Sequence, residues 1–514
     1  MAQVPPIFPS GDPEARAALR ALLHRAADAV ADYLGGLGDR PIFPAQPQAP
    51  AGELLPEHGE PLEHVFGAAA HWAVENSVHV GHPGYAGHMD SGVAVAGVLA
   101  DFLAGALNQN LLAFELAPGA TLLEKGLIQA FARLAGLPEG AGGLFTTGGT
   151  TANLTALLLA RDAASRDGSR VGLSAERPLG VLCSRDAHYS IHKAAAVLGL
   201  GSERVLAVPV APPERRLDPG ALEGVYRGAV ERGIRPVALV ATAGTTSCGA
   251  IDPIGACADF CEEHGLWLHV DAALSGPLLF HPQERARLAG IQRADSIALD
   301  PHKWLYASKC AGILLVRNGR DLVPARYEAP YLDRFTSHGE ALPVSQGRRS
   351  LEGSRRFDAL KVWMILRHLG RRGVAALLED RLRMTRWFHQ ALSEHPFFFP
   401  CHIPDSNVQA FAPRERAEEG RVAAAHRALE TGGRLWSSYT RLDGRPCHRV
   451  VLLNPSGTEQ HLRGILEGLE AGHRHGGPIP ALLQSSPPAD PARPQPGWCS
   501  IPRPHDPPPQ HDRP

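Results

Sequence analysis

Between residues 12 and 34, Leu19, Leu22, Leu23, Ala26, Val30 and Tyr33 recur at helical spacing, which predicts one amphipathic helix from about Asp12 to Leu34. Pro13 suits its first turn and Gly35-Gly36 its end. A proline-rich connection from Pro41 to Pro56 follows, so this helix is expected to pack on a partner surface rather than on its own core. The apolar stretch from Val93 to Phe114 contains Asp101, Asn108 and Gln109, and so reads as a partly buried helix, not a membrane span. From about residue 95 to 320, short apolar runs alternate with helical stretches. The runs are Leu144-Phe145, Val181 to Cys183, Val205 to Val210, Val237 to Thr242, Leu266 to Val270, Ser296 to Leu299 and Gly312 to Val316. Asn153 to Ala164 and Gly220 to Arg232 carry the helical period between them. That alternation predicts a parallel sheet covered on both faces.

From about 360 to 475 the pattern changes to two long helical stretches, a few strands (Asn407 to Phe411, Arg434 to Tyr439, Arg449 to Leu453) and a last helix. Beyond Gly476 the chain is proline-rich without apolar periodicity, which predicts a disordered tail. Four regions are expected: an N-terminal helical segment over 1–94, a large α/β domain over 95–358, a smaller α+β domain over 359–475, and the tail over 476–514.

Composition narrows the picture. The chain has 514 residues, 44% hydrophobic and 20% charged, with a formal net charge of -2, so nothing calls for nucleic acid or an anionic membrane as partner. Twenty-five histidines are scattered without a metal-binding cadence, and eight cysteines are too sparse for a disulfide framework. Cys257 and Cys261 lie one helical turn apart, but no second pair completes a zinc site, so no metal is expected. The first residues lack the basic-then-apolar layout of a secretory signal, and a cytoplasmic setting is expected.

Four local features could carry chemistry. Phe145 to Asn153 (FTTGGTTAN) runs from a strand through paired glycines into a helix, where N–H groups and the Thr150 and Thr151 hydroxyls can cradle a phosphate or merely cap the helix. His188, in SRDAHYS, follows a strand and either faces the ligand crevice of a parallel sheet or is a structural histidine. Asp271 ends the run LWLHVD and is either a crevice carboxylate or a cap. Lys303, in DPHKW, is either a solvated charge or an imine-forming amine. Pyridoxal 5′-phosphate needs a phosphate cup, a carboxylate for its ring nitrogen, a ring-stacking group and an imine lysine, and all four occur here at strand ends in the 95–358 region. No GxGxxG follows a strand, and neither GxxxxGK[ST] nor HExxH occurs.

The chain resembles the group II pyridoxal-phosphate-dependent decarboxylases, which include the aromatic amino acid, glutamate, cysteine sulfinate and diaminobutyrate decarboxylases. The resemblance runs from about His82 to Pro455 through HPGYAGHMD, NQNLLAFELAPGATLLE, FTTGGTTANL, DAHYSIHKA, ATAGTTSCGAIDPI, LWLHVDAA, DPHKW, LEGSRRFDALKVW and LLNP. It implies the aspartate aminotransferase-type fold, with a mostly parallel seven-stranded sheet and a smaller α+β domain, in a homodimer against which the N-terminal helices pack. By the same resemblance Lys303 carries the cofactor as a Schiff base, Asp271 pairs with its ring nitrogen, His188 stacks on the ring and Ala273 packs on the opposite face. Gly149, Thr150 and His302 belong to the phosphate cup, and Thr246 lies near the ring oxygen. Tyr331, in the segment from Arg326 to Val344, resembles a mobile-loop tyrosine that returns a proton to Cα. Arg449 and His82 are the implied substrate ligands, with Arg355 as a second guanidinium that could equally be a structural ion pair.

The implied reaction is decarboxylation of an L-amino acid to the amine and CO₂. HRVVLLNP and the missing aromatic-type loop signature favour a non-aromatic, glutamate- or diaminobutyrate-like substrate over an aromatic one. An aminotransferase or C–C lyase could use the same groups, and an inactive regulatory homologue is the non-enzyme alternative.

Overall fold

The structure, a computed structural model, describes residues 12–165, 168–173, 178–322 and 345–475. Tyr331, the segment around it and the tail over 476–514 lie outside the described residues. Two compact units divide the chain: one holds residues 86–423 and 437–455, the other the described residues of 12–85, 424–436 and 456–475.

The larger unit is built on seven strands: β1 (Gly142–Thr146), β2 (Leu179–Ser184), β3 (Val205–Val208), β4 (Arg235–Thr242), β5 (Trp267–Asp271), β6 (Ser296–Leu299) and β7 (Gly312–Val316). Each predicted apolar run is one of these strands. Their order is β1-β7-β6-β5-β4-β2-β3. β3, β2, β4, β5 and β6 pair in parallel, whereas β7 is antiparallel to both of its neighbours. The carboxyl ends of β1, β2, β4, β5 and β6 therefore share one edge of the sheet, and the start of β7 meets them there.

Successive side chains in a strand face opposite sides of the sheet. In β5, Leu268 and Val270 join one core cluster with Leu239, Ala241 and Ile297. The other face carries Trp267, which packs among residues of two further clusters that include Leu157 and Leu158, and Ala152, Ala156 and Leu159, of the Gly149–Ala164 helix. Both faces are thus covered, which is why the strands read as nearly continuous apolar runs.

A second, antiparallel sheet has the order β10-β11-β9-β8, from β8 (Phe398–Pro400), β9 (Val408–Pro413), β10 (Trp436–Leu442) and β11 (Arg445–Val451). The two predicted long helical stretches form the run Ala359–Glu394, interrupted at Gly370, where φ is 63°. The Glu419–Thr431 helix and the short β8 were not anticipated. The helix is alanine-rich, and its buried face, Val422, Ala425, His426, Ala428 and Leu429, holds only two large apolar side chains. The Val93–Phe114 stretch is helical over Val95–Leu107 alone, ending at Asn108 in the left-handed conformation. Gly97, Ala100 and Ala104 of that helix are buried, while Val95, Leu99, Phe102, Leu103 and Leu107 are each about half exposed.

In the smaller unit the first helix spans Pro13–Gly35, and Asp12 caps it by accepting the Ala15 N–H at 3.0 Å. It pairs with the Leu62–Glu75 helix through Arg25 and Glu63, 3.0 Å apart, and leaves Leu19, Leu23 and Val30 exposed. Among the described residues no helix is long and apolar enough to cross a membrane.

Candidate active site

At the shared strand edge lies a cavity of about 300 Å³. Five strands contribute residues at or just after their carboxyl ends: Thr147 to Thr151 after β1, His188 after β2, Thr246 after β4, Asp271 and Ala273 from β5, and Asp300, His302 and Lys303 after β6. Because β7 runs the opposite way, it contributes from its start instead, through Lys309 and Cys310. All eight residues assigned to the cofactor by sequence (Gly149, Thr150, His188, Thr246, Asp271, Ala273, His302 and Lys303) face this one space.

The Gly149–Ala164 helix begins in the cavity wall, and no side chain caps it. Its first N–H groups and the positive end of its dipole suit an anion. A Cβ on Gly149 would lie 3.0 Å from Asp300 Oδ2 and 3.2 Å from Ala273 Cβ, so only glycine leaves the backbone this close to its neighbours. Lys303 Nζ is 3.2 Å from Asp300 Oδ2, and His302 Nε2 is 3.7 Å from the same oxygen. His302 Nδ1 lies 2.6 Å from the carbonyl of Ala311.

Asp271 Oδ1 accepts the N–H of Ala273 at 3.2 Å, and Oδ2 accepts Asn153 Nδ2 at 2.8 Å. The Asn153 amide also donates to Ser190 Oγ at 2.9 Å, and that hydroxyl lies 2.8 Å from His188 Nδ1. Burial is the main force holding the His188 pKa below its ordinary value; Asp271 opposes it and Lys303 adds to it. Behind Asn153, His269 Nε2 sits 2.9 Å from Asn153 Oδ1, and His269 Nδ1 is 2.9 Å from Ser296 Oγ, which accepts the Trp267 indole N–H at 2.8 Å.

Asn153, Ser190, Ser296, Trp267, His269 and Asp300 were not singled out by sequence. A signal for two of them was present: Trp267 and His269 alternate at period two with Asp271 in LWLHVD, so all three share one face of β5.

The substrate assignments fare differently in space. Arg449, in β11, does not line the cavity. Its Nη1 donates to the Thr246 carbonyl at 2.8 Å, its Nε to Ser438 Oγ at 2.9 Å and its Nη2 to His88 Nδ1 at 3.1 Å. His82 belongs to the smaller unit, where it is buried and its Nδ1 accepts the Gly84 N–H at 2.9 Å. Burial, then Arg434 and His461, push its pKa down to about 4. Arg355, left open by sequence, is a structural ion pair. Its Nη2 meets Glu124 Oε1 at 2.9 Å and its Nη1 the Phe145 carbonyl at 2.8 Å, with both side chains buried.

These features fit pyridoxal phosphate: an uncapped helix start for the phosphate, a hydrogen-bonded carboxylate for the ring nitrogen, and a lysine amine in the same space. The pyridoxal-dependent decarboxylase conserved domain matches residues 44–412. The chain is 35% identical over 419 residues to an L-2,4-diaminobutyrate decarboxylase of Rhizobium meliloti, covering 81% of this chain and 83% of that protein. It is 34% identical over 349 residues to a cysteine sulfinic acid decarboxylase of Rattus norvegicus, covering 67% and 69%. The crystal structure of mouse CSAD superposes with a TM-score of 0.80 at 28% identity, over 88% of this chain and 98% of that one. The chain therefore belongs to the pyridoxal-dependent decarboxylase family, and it is a pyridoxal-phosphate-dependent amino acid decarboxylase.

Proposed function

We propose that the substrate is a non-aromatic L-amino acid with a short polar side chain, of the glutamate or diaminobutyrate kind. The observation that carries this reading is the cavity wall. Among the described residues it holds lysine, histidine, aspartate, asparagine and threonine side chains beside Met89, Ala273 and Leu274, so polar and charged groups outnumber apolar ones. The named relatives, which act on diaminobutyrate and cysteine sulfinic acid, support the same class.

When bound, pyridoxal phosphate supplies an electron sink for the Cα–carboxylate bond as CO₂ leaves. The rest falls to the chain. Gly149 and Thr150, at the helix start, would hold the phosphate, with His302 beside them. Lys303 Nζ would hold the cofactor covalently and give way to the substrate amine. Asp271 would keep a proton at the ring nitrogen, Thr246 would sit by the ring oxygen, and His188 and Ala273 would sandwich the ring. Tyr331 or His188 would return a proton to Cα. Arg449 braces the Thr246 turn from outside the cavity, and its proposed role as a substrate ligand, like that of His82, rests on sequence resemblance alone.

The protein is further proposed to act as a homodimer in the cytoplasm. The half-exposed apolar stripe Val95, Leu99, Phe102, Leu103 and Leu107 supports the dimer, because a monomer rarely leaves so continuous a face in water.

The test is CO₂ release from a panel of amino acids, with borohydride fixation of the bound cofactor and peptide mass spectrometry to locate it. Turnover of diaminobutyrate, glutamate or cysteine sulfinate with the adduct on Lys303 is expected. Preference for tryptophan or DOPA would overturn the substrate class, and an adduct on another lysine would overturn the anchor.

A further inference from the structure

A buried line of hydrogen bonds runs along one face of β5 to Asp271, and its direction can be derived atom by atom. The Trp267 indole has a donor and no acceptor, so Ser296 Oγ must accept from it. Ser296 Oγ can still donate its own hydrogen, and the Asp271 end sends it to His269 Nδ1, 2.9 Å away. The carboxylate only accepts, so Asn153 turns its Oδ1 to His269, whose ring hydrogen must then sit on Nε2. An imidazole with its hydrogen on Nε2 accepts at Nδ1, and this Nε2 faces Asn153 Oδ1 at 2.9 Å. The Asn153 NH₂ points the other way, where it donates to both Asp271 Oδ2 and Ser190 Oγ. The Ser190 hydrogen in turn goes to His188 Nδ1, which also faces the Ser190 N–H at 3.3 Å.

The placement follows from the strand. Trp267, His269 and Asp271 share a face by the two-residue period, and Ser296 is the residue of β6 in register with His269. Asn153 comes from the helix that covers that face, one turn beyond its glycine start. His269, Asn153, Ser190 and Ser296 are all at most 1% exposed, so water does not compete for these partners. Burial also pushes the His269 pKa down to about 4, consistent with a single ring hydrogen.

We propose that His269, Ser296 and Trp267 are positioning residues that fix the tautomer of His269 and, through it, the orientation of the Asn153 amide that holds Asp271 and His188 against the cofactor ring. Asn153 is the branch point: one amide group serves both residues, and a reversed amide would turn its oxygen toward the Asp271 carboxylate. The inference rests on the reading of Asp271 as the partner of the ring nitrogen.

The test uses the full chain reconstituted with pyridoxal phosphate labelled with nitrogen-15 in its ring. The readouts are the ring-nitrogen chemical shift, which reports its protonation, and the cofactor dissociation constant. His269→Leu should move the resonance toward the unprotonated form and weaken cofactor binding at least about tenfold, as expected for losing a hydrogen bond to a charged group. His269→Gln, which can still donate to Asn153 and accept from Ser296, should stay within about threefold of the parent protein. An unchanged resonance in His269→Leu, or a Gln variant that falls as far as the Leu variant, would overturn the proposal. Ser296→Ala keeps the test open if His269→Leu fails to fold: a shift of the same sign is expected, and no shift refutes the relay. Asp271→Asn separates the two readings. If it leaves the resonance unmoved, the assignment of Asp271 fails and takes this inference with it; if it alone moves the resonance, only the relay fails.

Discussion

Asn153 and Asp271 are 118 residues apart in sequence, yet the Asn153 amide donates to the Asp271 carboxylate at 2.8 Å inside the core. The contact joins the helix that opens the proposed phosphate cup to the strand that ends in the carboxylate proposed for the ring nitrogen. The two halves of the proposed cofactor site are therefore held in one frame, and several consequences can be measured.

Gly149→Ala should weaken cofactor binding by about tenfold or more, because a methyl group there would press on Asp300 Oδ2 and Ala273 Cβ. The thermal midpoint of the cofactor-free protein should fall by a few degrees as well, because the contact lies within the protein. Titrating that protein with pyridoxal phosphate checks the first effect and a melting curve the second. Unchanged affinity would place the phosphate elsewhere.

Arg355→Met should destabilise the protein by about 3–5 kcal/mol, because it leaves the buried Glu124 carboxylate without its guanidinium. Adding Glu124→Gln should restore much of the loss. Urea unfolding of the single and double variants measures both. A higher KM with stability intact would instead give Arg355 a place at the substrate.

His269 and His402 have pKa values pushed down to about 4, chiefly by burial, and His402 Nε2 accepts the Ala410 N–H at 3.0 Å. The unfolded chain, titrating near pH 6.5, binds more protons than the folded one between about pH 4 and 6.5. Their contribution is therefore full above about pH 6.5 and is lost as pH falls toward 4, by up to roughly 3 kcal/mol each. Asp252 acts oppositely. Burial raises its pKa to about 7, so its contribution is full at low pH and wanes as pH rises from about 4 to 7. Urea midpoints measured across about pH 4.5–6.5 should fall less steeply on acidification in His402→Gln and more steeply in Asp252→Asn. Slopes equal to that of the parent protein would count against these shifts.

Phe102→Glu with Leu103→Lys should turn the proposed dimer into a monomer, since both side chains are about half exposed on the apolar stripe. Light scattering should then report 54.9 kDa, the mass of one chain, instead of twice that value. A variant that stays dimeric would move the interface to another face.

Sequence carried the fold a long way for a physical reason. A strand buried on both faces must be apolar along its whole length, so all seven strands of the large sheet stood out, and with them the strand ends that bear His188, Asp271 and Lys303. The amphipathic first helix was equally legible, from Pro13 in its first turn to the glycines at its end. The Glu419–Thr431 helix was not, because alanine contrasts too weakly with its neighbours to mark a face.

What the sequence determined by itself was local: the period of each element, and the residue types placed at strand ends. Tertiary structure decided which distant groups meet. It turned β7 antiparallel, so that Lys309 reaches the cavity from the start of that strand, and it gave Arg355 to Glu124, 231 residues away. It also set Ser296 in register with His269, which closes the line from Trp267 to Asp271. A periodic pattern fixes which way a side chain faces, but only the sheet order and register fix what stands opposite it.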